Sequence, residues 1–182
     1  MLIKSFFSGF GGQGVLSMGL ILAHAAMKEG KQVTYLPAYG AEVRGGTAHC
    51  TVAVSDEEIA SPVASEPEYV IAMNQPSTKK FQNFICSGGT MFINKTLVSE
   101  LPARGDIEIV EIPATALAEE LKNIGSTNLV MLGAFIKATS LVELKTVEGS
   151  IEEFFASKKK LIPGGIAALA KGYNYVQEGA GK

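Results

Sequence analysis

LIKSFFSGFGGQGVLSMGLILAHAAMKEGKQVTYLP, residues 2–37, decides the fold. Leu2 to Ser8 is apolar and β-favouring, which suits a buried strand. The glycine-rich turn Gly9-Phe10-Gly11-Gly12-Gln13-Gly14 follows it. Val15 onward carries apolar residues on most faces of a helical period, so a largely buried helix is expected, closed by Gly30. Gln32 to Pro37 reads as a second strand. A strand, crossover helix and strand is normally right-handed and gives a parallel pair. The opening is therefore Rossmann-like, and the expected class is α/β: three layers, α/β/α, around a largely parallel or mixed sheet.

Two other readings of the uncharged stretch from Ser5 to Met27 are weighed against this one. Ala23-His24-Ala25 resembles a small-residue cleavage site, as at the end of a signal peptide. Gly9, Gly11, Gly12, Gly14 and Gly19, with Gln13, interrupt the run, whereas a membrane span needs about 20 mostly apolar residues. Strand, turn and helix fit better.

The alternation continues downstream. Thr47 to Ser55 alternates as a strand, and Glu57 to Glu68, with Pro62 and Pro67, is a connection. Tyr69–Met73, Thr90–Asn94 and Ile107–Ile112 read as further short strands. NQPSTKKFQNF is expected to begin a helix near Pro76, and Pro113 to open the helix ATALAEELKN, closed by Gly125. From Thr127 the pattern is helical: NLVMLGAFIKAT, then SIEEFFASKKK with Ser150 and Glu153 spaced as a capping box, then GIAALAKGYNYVQEG. No linker or composition shift marks a boundary, so residues 1–182 are read as one domain. Lys158-Lys159-Lys160 is read as a solvated helix end.

Composition narrows the function. The 182 residues are 47% hydrophobic and 19% charged, with a net charge of −2. No global basic field is available to hold nucleic acid or an anionic membrane. The two cysteines, Cys50 and Cys86, lie far apart without a CxxC, and read as buried thiols in a reducing cytoplasm. A structural zinc site or an iron–sulfur cluster needs about four ligands, so neither is expected on this chain. His24 and His49, inside an apolar helix and a strand, read as packing histidines. No nucleophile, base and orienter can be assembled, and no GxSxG, GxxxxGK[ST] or HExxH occurs. No residue is therefore assigned a catalytic role.

Two glycine loops remain. Gly9, Gly11 and Gly14 fit GxGxxG between a strand and a helix, where free amides and the helix dipole favour an anion such as phosphate. Gly9, Gly11, Gly12, Gln13 and Gly14 are the first candidate cofactor-binding set. A tight turn under close helix packing is the plainer reading of the same glycines. For NAD, an acidic residue should end the second strand to hold the ribose hydroxyls. That strand ends Tyr35-Leu36-Pro37-Ala38, with neither an acid nor an arginine for a 2′-phosphate. The second loop, Tyr39-Gly40-Ala41-Glu42-Val43-Arg44-Gly45-Gly46, should face the first. Glu42, Arg44, Gly45 and Gly46 form the second candidate set. Arg44 could meet an anionic group or a partner subunit, or pair with Glu42 at a surface.

GFGGQG, YGAEVRGGTAHCTVAVS and NLVMLGAF at Asn128–Phe135 together resemble the gamma subunit, or gamma domain, of 2-oxoacid:ferredoxin oxidoreductases acting on pyruvate, 2-oxoglutarate and related acids. The middle motif is the specific part. The resemblance implies a subunit of a complex that oxidatively decarboxylates a 2-oxoacid with coenzyme A, giving acyl-CoA, CO2 and reduced ferredoxin. It implies thiamine diphosphate and iron–sulfur clusters on partner chains, namely alpha and beta thiamine-binding subunits and a ferredoxin-like delta subunit or domain. It further implies that Gly11, Gly12, Gln13 and Gly14 touch coenzyme A, with Glu42, Arg44, Gly45 and Gly46 near the cofactor or an interface. The family loop often has a proline where this chain has Ala41, which leaves the loop less rigid. A free-standing NAD(P)-dependent dehydrogenase and a pure subunit-interaction module are the alternatives.

Overall fold

The computed structural model describes residues 1–39, 46–61, 63 and 65–179. Strand β1 (Leu2–Phe10) is apolar on both faces and is buried from Ser5 to Gly9. Only an interior position in a sheet satisfies such a strand. Phe7 enters a large core on one face, and Phe6 a smaller core on the other. The sheet has the order β2-β3-β1-β4-β5-β6, with β2 (Gln32–Tyr39), β3 (Thr47–Ser55), β4 (Tyr69–Ala72), β5 (Thr90–Asn94) and β6 (Glu108–Ile112). Strands β1, β4, β5 and β6 run parallel. The mixed α/β class expected from sequence is the one observed.

The expected β1–β2 parallel pair does not form. Strand β3 lies between them, antiparallel to both, from Leu2↔Ser55 to Phe10↔Thr47 on one side and from Gln32↔Ser55 to Tyr39↔Ala48 on the other. Cys50 to Ser55 are all buried, so β3 suits the interior. Strand β2 carries Pro37, and Leu36 is 41% exposed, as befits an edge. The first and second strands keep the same direction but are two strand spacings apart.

The helical layers are unequal. Helix α1 (Val15–Lys28), α3 (Ala114–Glu120), α4 (Thr127–Thr139), α5 (Leu144–Phe154) and α6 (Ile162–Gly179) contribute to the large core. On the other face, α2 (Gln75–Phe81) supplies Phe81 to the smaller core. Two helix boundaries differ from expectation. Ser150 does not cap a helix: it is buried within α5, and its Oγ donates to Thr146 O at 2.9 Å. Leu144, Val147 and Ile151 set that helix by facing the core, and a mid-helix serine then bonds back to the i−4 carbonyl. Helix α3 stops at Glu120, before Lys122 turns left-handed (φ 52°), and a 3-10 turn, Ile124–Ser126, leads into α4.

Helix α4 is buried at every position from Asn128 to Ile136, because α6 lies directly against it. A Cβ at Gly133 would sit 2.0 Å from Leu169 O, and one at Gly172 1.8 Å from Val130 O. Both glycines are therefore requirements of helix–helix approach, which explains the glycine in NLVMLGAF. Gly172→Ala should destabilise the chain by about 3 kcal/mol or more, because backbone cannot yield as a side-chain tip can. Gly105→Ala, which meets nothing within 4 Å, should stay within about 0.5 kcal/mol in the same denaturant unfolding experiment.

Candidate functional site

The parallel strands deliver their carboxyl ends to one edge of the sheet, where α/β folds place ligands. At that edge β1 passes through Gly11 and Gly12 into α1. Gly12 (φ 98°) and Gly14 (φ 71°) adopt left-handed backbone that other residues resist. Gly14 caps α1 without any side-chain bond, and the first turn of α1 holds no acid.

Gln13 fixes the turn. Its Oε1 accepts from Phe10 N–H at 2.7 Å and from Asn74 Nδ2 at 2.7 Å, while its Nε2 donates to Met73 O at 3.5 Å. A Cβ on Gly9 would lie 2.8 Å from that Oε1, so the glycine leaves room for the fold-back. Asn74 Oδ1 in turn accepts from Ser77 N–H at 2.9 Å and caps α2. Asn94, at the end of β5, donates from Nδ2 to Met73 O (3.3 Å) and to Thr115 Oγ1 (2.8 Å), and Thr115 N–H donates to its Oδ1 at 3.3 Å. A chain of side-chain amides thus runs along the carboxyl edge of β1, β4 and β5.

Asn128, in the first turn of α4, donates from Nδ2 to Gly14 O at 3.1 Å, and a Cβ on Gly14 would lie 2.5 Å from that nitrogen. The N-termini of α1 and α4 are joined there, and α4 also lacks a side-chain cap and a first-turn acid. Gly11 N–H donates to Gly46 O at 3.1 Å, which brings the last residue of the second loop against the first loop. Glu42, Arg44 and Gly45 lie outside the described residues.

These contacts sort the first candidate set. Gly9 and Gly14 answer to packing, Gln13 to the amide chain and Gly11 to the second loop. Gly12 differs: a Cβ there would meet nothing within 4 Å among the described residues. Beside it lies a cavity of about 290 Å³ bounded by Gln13, Met73, Thr115, Gly125 and Thr127, with Leu97 and Ile124 at its rim. Asn74, Asn94, Thr115 and Asn128 were missed by sequence reasoning. The available signal was an asparagine ending each of two apolar strand runs, YVIAMN and TMFIN.

Among the described residues the titratable groups form no catalytic arrangement. His49 packs against Phe6 and Phe81, with centroids 5.1 and 5.7 Å away, and its buried Nδ1 has no hydrogen-bond partner among the described residues. Burial, and then Lys80, push its pKa below the ordinary value. Burial lifts the Cys50 thiol to about 12, which keeps it unreactive. Two expectations need correction. His24 is exposed on α1, since only part of that helix faces the core, and Cys86 is partly exposed at the end of the α2–β5 connection. Among the described residues no group of His, Cys, Asp or Glu could hold a metal ion. Among them also, no helix is long and apolar enough to cross a membrane.

Two outcomes follow. Asn74→Ala removes both the α2 cap and a donor to Gln13, and should lower stability by about 1–2 kcal/mol in chemical denaturation; Asn74→Asp keeps the cap and should lose less. Because the folded His49 pKa lies below its unfolded value, the unfolded state binds the extra proton first as pH falls. Stability should therefore decline below about pH 6.5, and His49→Phe should flatten that decline in denaturation curves taken across the window.

Comparison with known proteins agrees with this architecture. The family model described as pyruvate ferredoxin/flavodoxin oxidoreductase matches residues 4–175. The ketoisovalerate oxidoreductase subunit VorA of Methanothermobacter thermautotrophicus is 38% identical over 94% of this chain, which spans 36% of that longer protein. The 2-oxoglutarate synthase subunit KorC of Methanocaldococcus jannaschii is 34% identical over 94% of this chain and 92% of its own length. Among solved structures, the keto/oxoacid ferredoxin oxidoreductase gamma subunit from Geobacter sulfurreducens superposes with a TM-score of 0.82 at 25% identity, covering 97% of this chain and 99% of that one. The 2-oxoglutarate:ferredoxin oxidoreductase from Magnetococcus marinus, a structure with 2-oxoglutarate, coenzyme A and succinyl-CoA bound, gives 0.89 at 23% identity, covering 97% of this chain and 31% of that one. The sequence, the sheet order and these likenesses agree that the chain belongs to the pyruvate ferredoxin/flavodoxin oxidoreductase family.

Proposed function

We propose that this chain is the gamma-type subunit of a thiamine diphosphate-dependent 2-oxoacid:ferredoxin oxidoreductase, and that it supplies a surface for coenzyme A and for neighbouring subunits. Residues 1–182 act as one gamma-type unit in the cytoplasm. The reaction of the assembly is oxidative decarboxylation of a 2-oxoacid such as 2-oxoglutarate or pyruvate, with coenzyme A, to acyl-CoA, CO2 and reduced ferredoxin. Thiamine diphosphate and iron–sulfur clusters belong to the partners, alpha and beta thiamine-binding subunits and a ferredoxin-like delta subunit or domain.

The observation that carries the coenzyme A role is the open backbone at Gly12. Its N–H has no hydrogen-bond partner among the described residues, and it stands at the entry of α1, whose cap and first turn are free of anionic side chains. Helix N-termini with free amides suit phosphate oxygens. The likeness to KorC, which covers 92% of that subunit's length, supports the gamma-type reading. A dehydrogenase using NAD(P) is disfavoured by the sheet, because β3 separates β1 from the strand end that would hold the ribose, by about 10 Å at ordinary strand spacing.

Purification of the native assembly through this chain should recover thiamine-binding and ferredoxin-like partners; a partner-free chain that oxidises a 2-oxoacid would overturn the proposal. Within the assembly, Gly12→Ala and Gly12→Val should raise the KM for coenzyme A by about tenfold or more, valine the more strongly, since a side chain would occupy the approach to the amide. An unchanged KM in a complex that still forms would remove the turn from that role.

A further inference from the structure

The cavity beside Gly12 has a chemical character that phosphate binding does not use. Its polar side chains are already engaged. Gln13 Oε1 accepts two hydrogen bonds, Thr115 Oγ1 accepts from Asn94 Nδ2 at 2.8 Å, and Thr127 Oγ1 donates to Ile124 O at 2.7 Å. The side chains that stand free at its rim are apolar. Leu97 and Ile124 stand at the rim 45% and 60% exposed, and neither contributes to the two cores. Met73 lines the interior. Two large aliphatic side chains from separate connections, half-exposed on one small cleft, form a pair of jaws that belong to neither core.

The volume, about 290 Å³, lies at the small end of the range for ligand sites, and so suits one part of a large cofactor. Coenzyme A offers two parts next to its diphosphate. On one side is the ribose with its adenine, whose edges need hydrogen-bond partners when buried. On the other, one CH2 away from the phosphate oxygen, is a carbon bearing two methyl groups. A cleft with engaged polar side chains and two free aliphatic ones matches the second, and its continuity with Gly12 matches the single-carbon spacing.

Resting on the coenzyme A reading given above, we propose that this cleft, with Leu97 and Ile124 as its jaws, seats the branched dimethyl group of the coenzyme A arm. The adenine lies outside it. The jaws bind the cofactor and take no part in the chemical step.

The test uses the purified assembly with Leu97→Ser, Ile124→Ser and the double variant, and three thiol substrates: coenzyme A, pantetheine, which keeps the dimethyl group but lacks the nucleotide, and N-acetylcysteamine, which lacks both. The double variant should raise the KM for coenzyme A and for pantetheine by about tenfold each and leave that for N-acetylcysteamine unchanged, with Leu97→Met and Ile124→Val restoring affinity. A rise for coenzyme A without one for pantetheine would mean that the base sits in the cleft, and would overturn the proposal. So would failed assembly of the serine variants, which would make the jaws a subunit contact. If the jaws leave every KM unchanged while Gly12→Ala raises that for coenzyme A, this inference fails and the phosphate turn stands. If Gly12→Ala also has no effect, the coenzyme A reading itself fails.

Discussion

One glutamine oxygen holds the carboxyl edge of the sheet together. Gln13 Oε1 accepts from its own turn, at Phe10 N–H, and from the neighbouring strand end, at Asn74 Nδ2. An amide oxygen has two lone pairs, and both are used. That one side chain sets the turn relative to β4. Asn74 then sets the start of α2, and Asn94 carries the constraint on through Met73 O to the start of α3. With the rest of the turn committed in this way, Gly12 is the position of the turn left without a partner among the described residues.

The opposite wall of the site is equally constrained, by packing. Helix α4 reaches Gly14 through Asn128, and α4 is fixed by its backbone approach to α6 at Gly133 and Gly172. The N-termini of α1 and α4 therefore converge on a platform that is pre-organised before any ligand arrives. Pre-organised amides favour binding, because the ordering of the groups is already accomplished on folding. Two helix N-termini without first-turn acids give that edge a character that favours anions.

Much of this was legible in the sequence, and the failures have physical reasons. The buried strand β1, the glycine turn, α1 and the strand Thr90–Asn94 are short apolar runs bounded by turn residues, and local pattern decides them. The insertion of β3 between β1 and β2 was not legible. A strand's own alternation says which residues are buried but not which neighbour it pairs with, and two antiparallel pairs satisfy it as well as one parallel pair. Ser150 misled because S-x-x-E spacing recurs inside helices, where the core face of Leu144, Val147 and Ile151 outweighs it. His24 misled because Ala23 and Ala25 on either side are buried while the histidine points away. In the site, the glycines were visible as a motif, but their division of labour depends on Asn74, Asn94 and Asn128, which come from distant parts of the chain. Leu97 and Ile124 lie in connections without periodicity, so nothing local distinguishes them from incidental surface residues.

If, as proposed, the open amide at Gly12 receives coenzyme A within the assembled enzyme, its hydrogen exchange must respond to that ligand. Amide hydrogen exchange on the intact complex, read for residues 11–17 with and without saturating coenzyme A, tests it most directly. Slowed exchange through that segment is expected with coenzyme A, and no slowing with NAD(H). Protection confined to partner subunits, or protection of the segment by NAD(H), would contradict it.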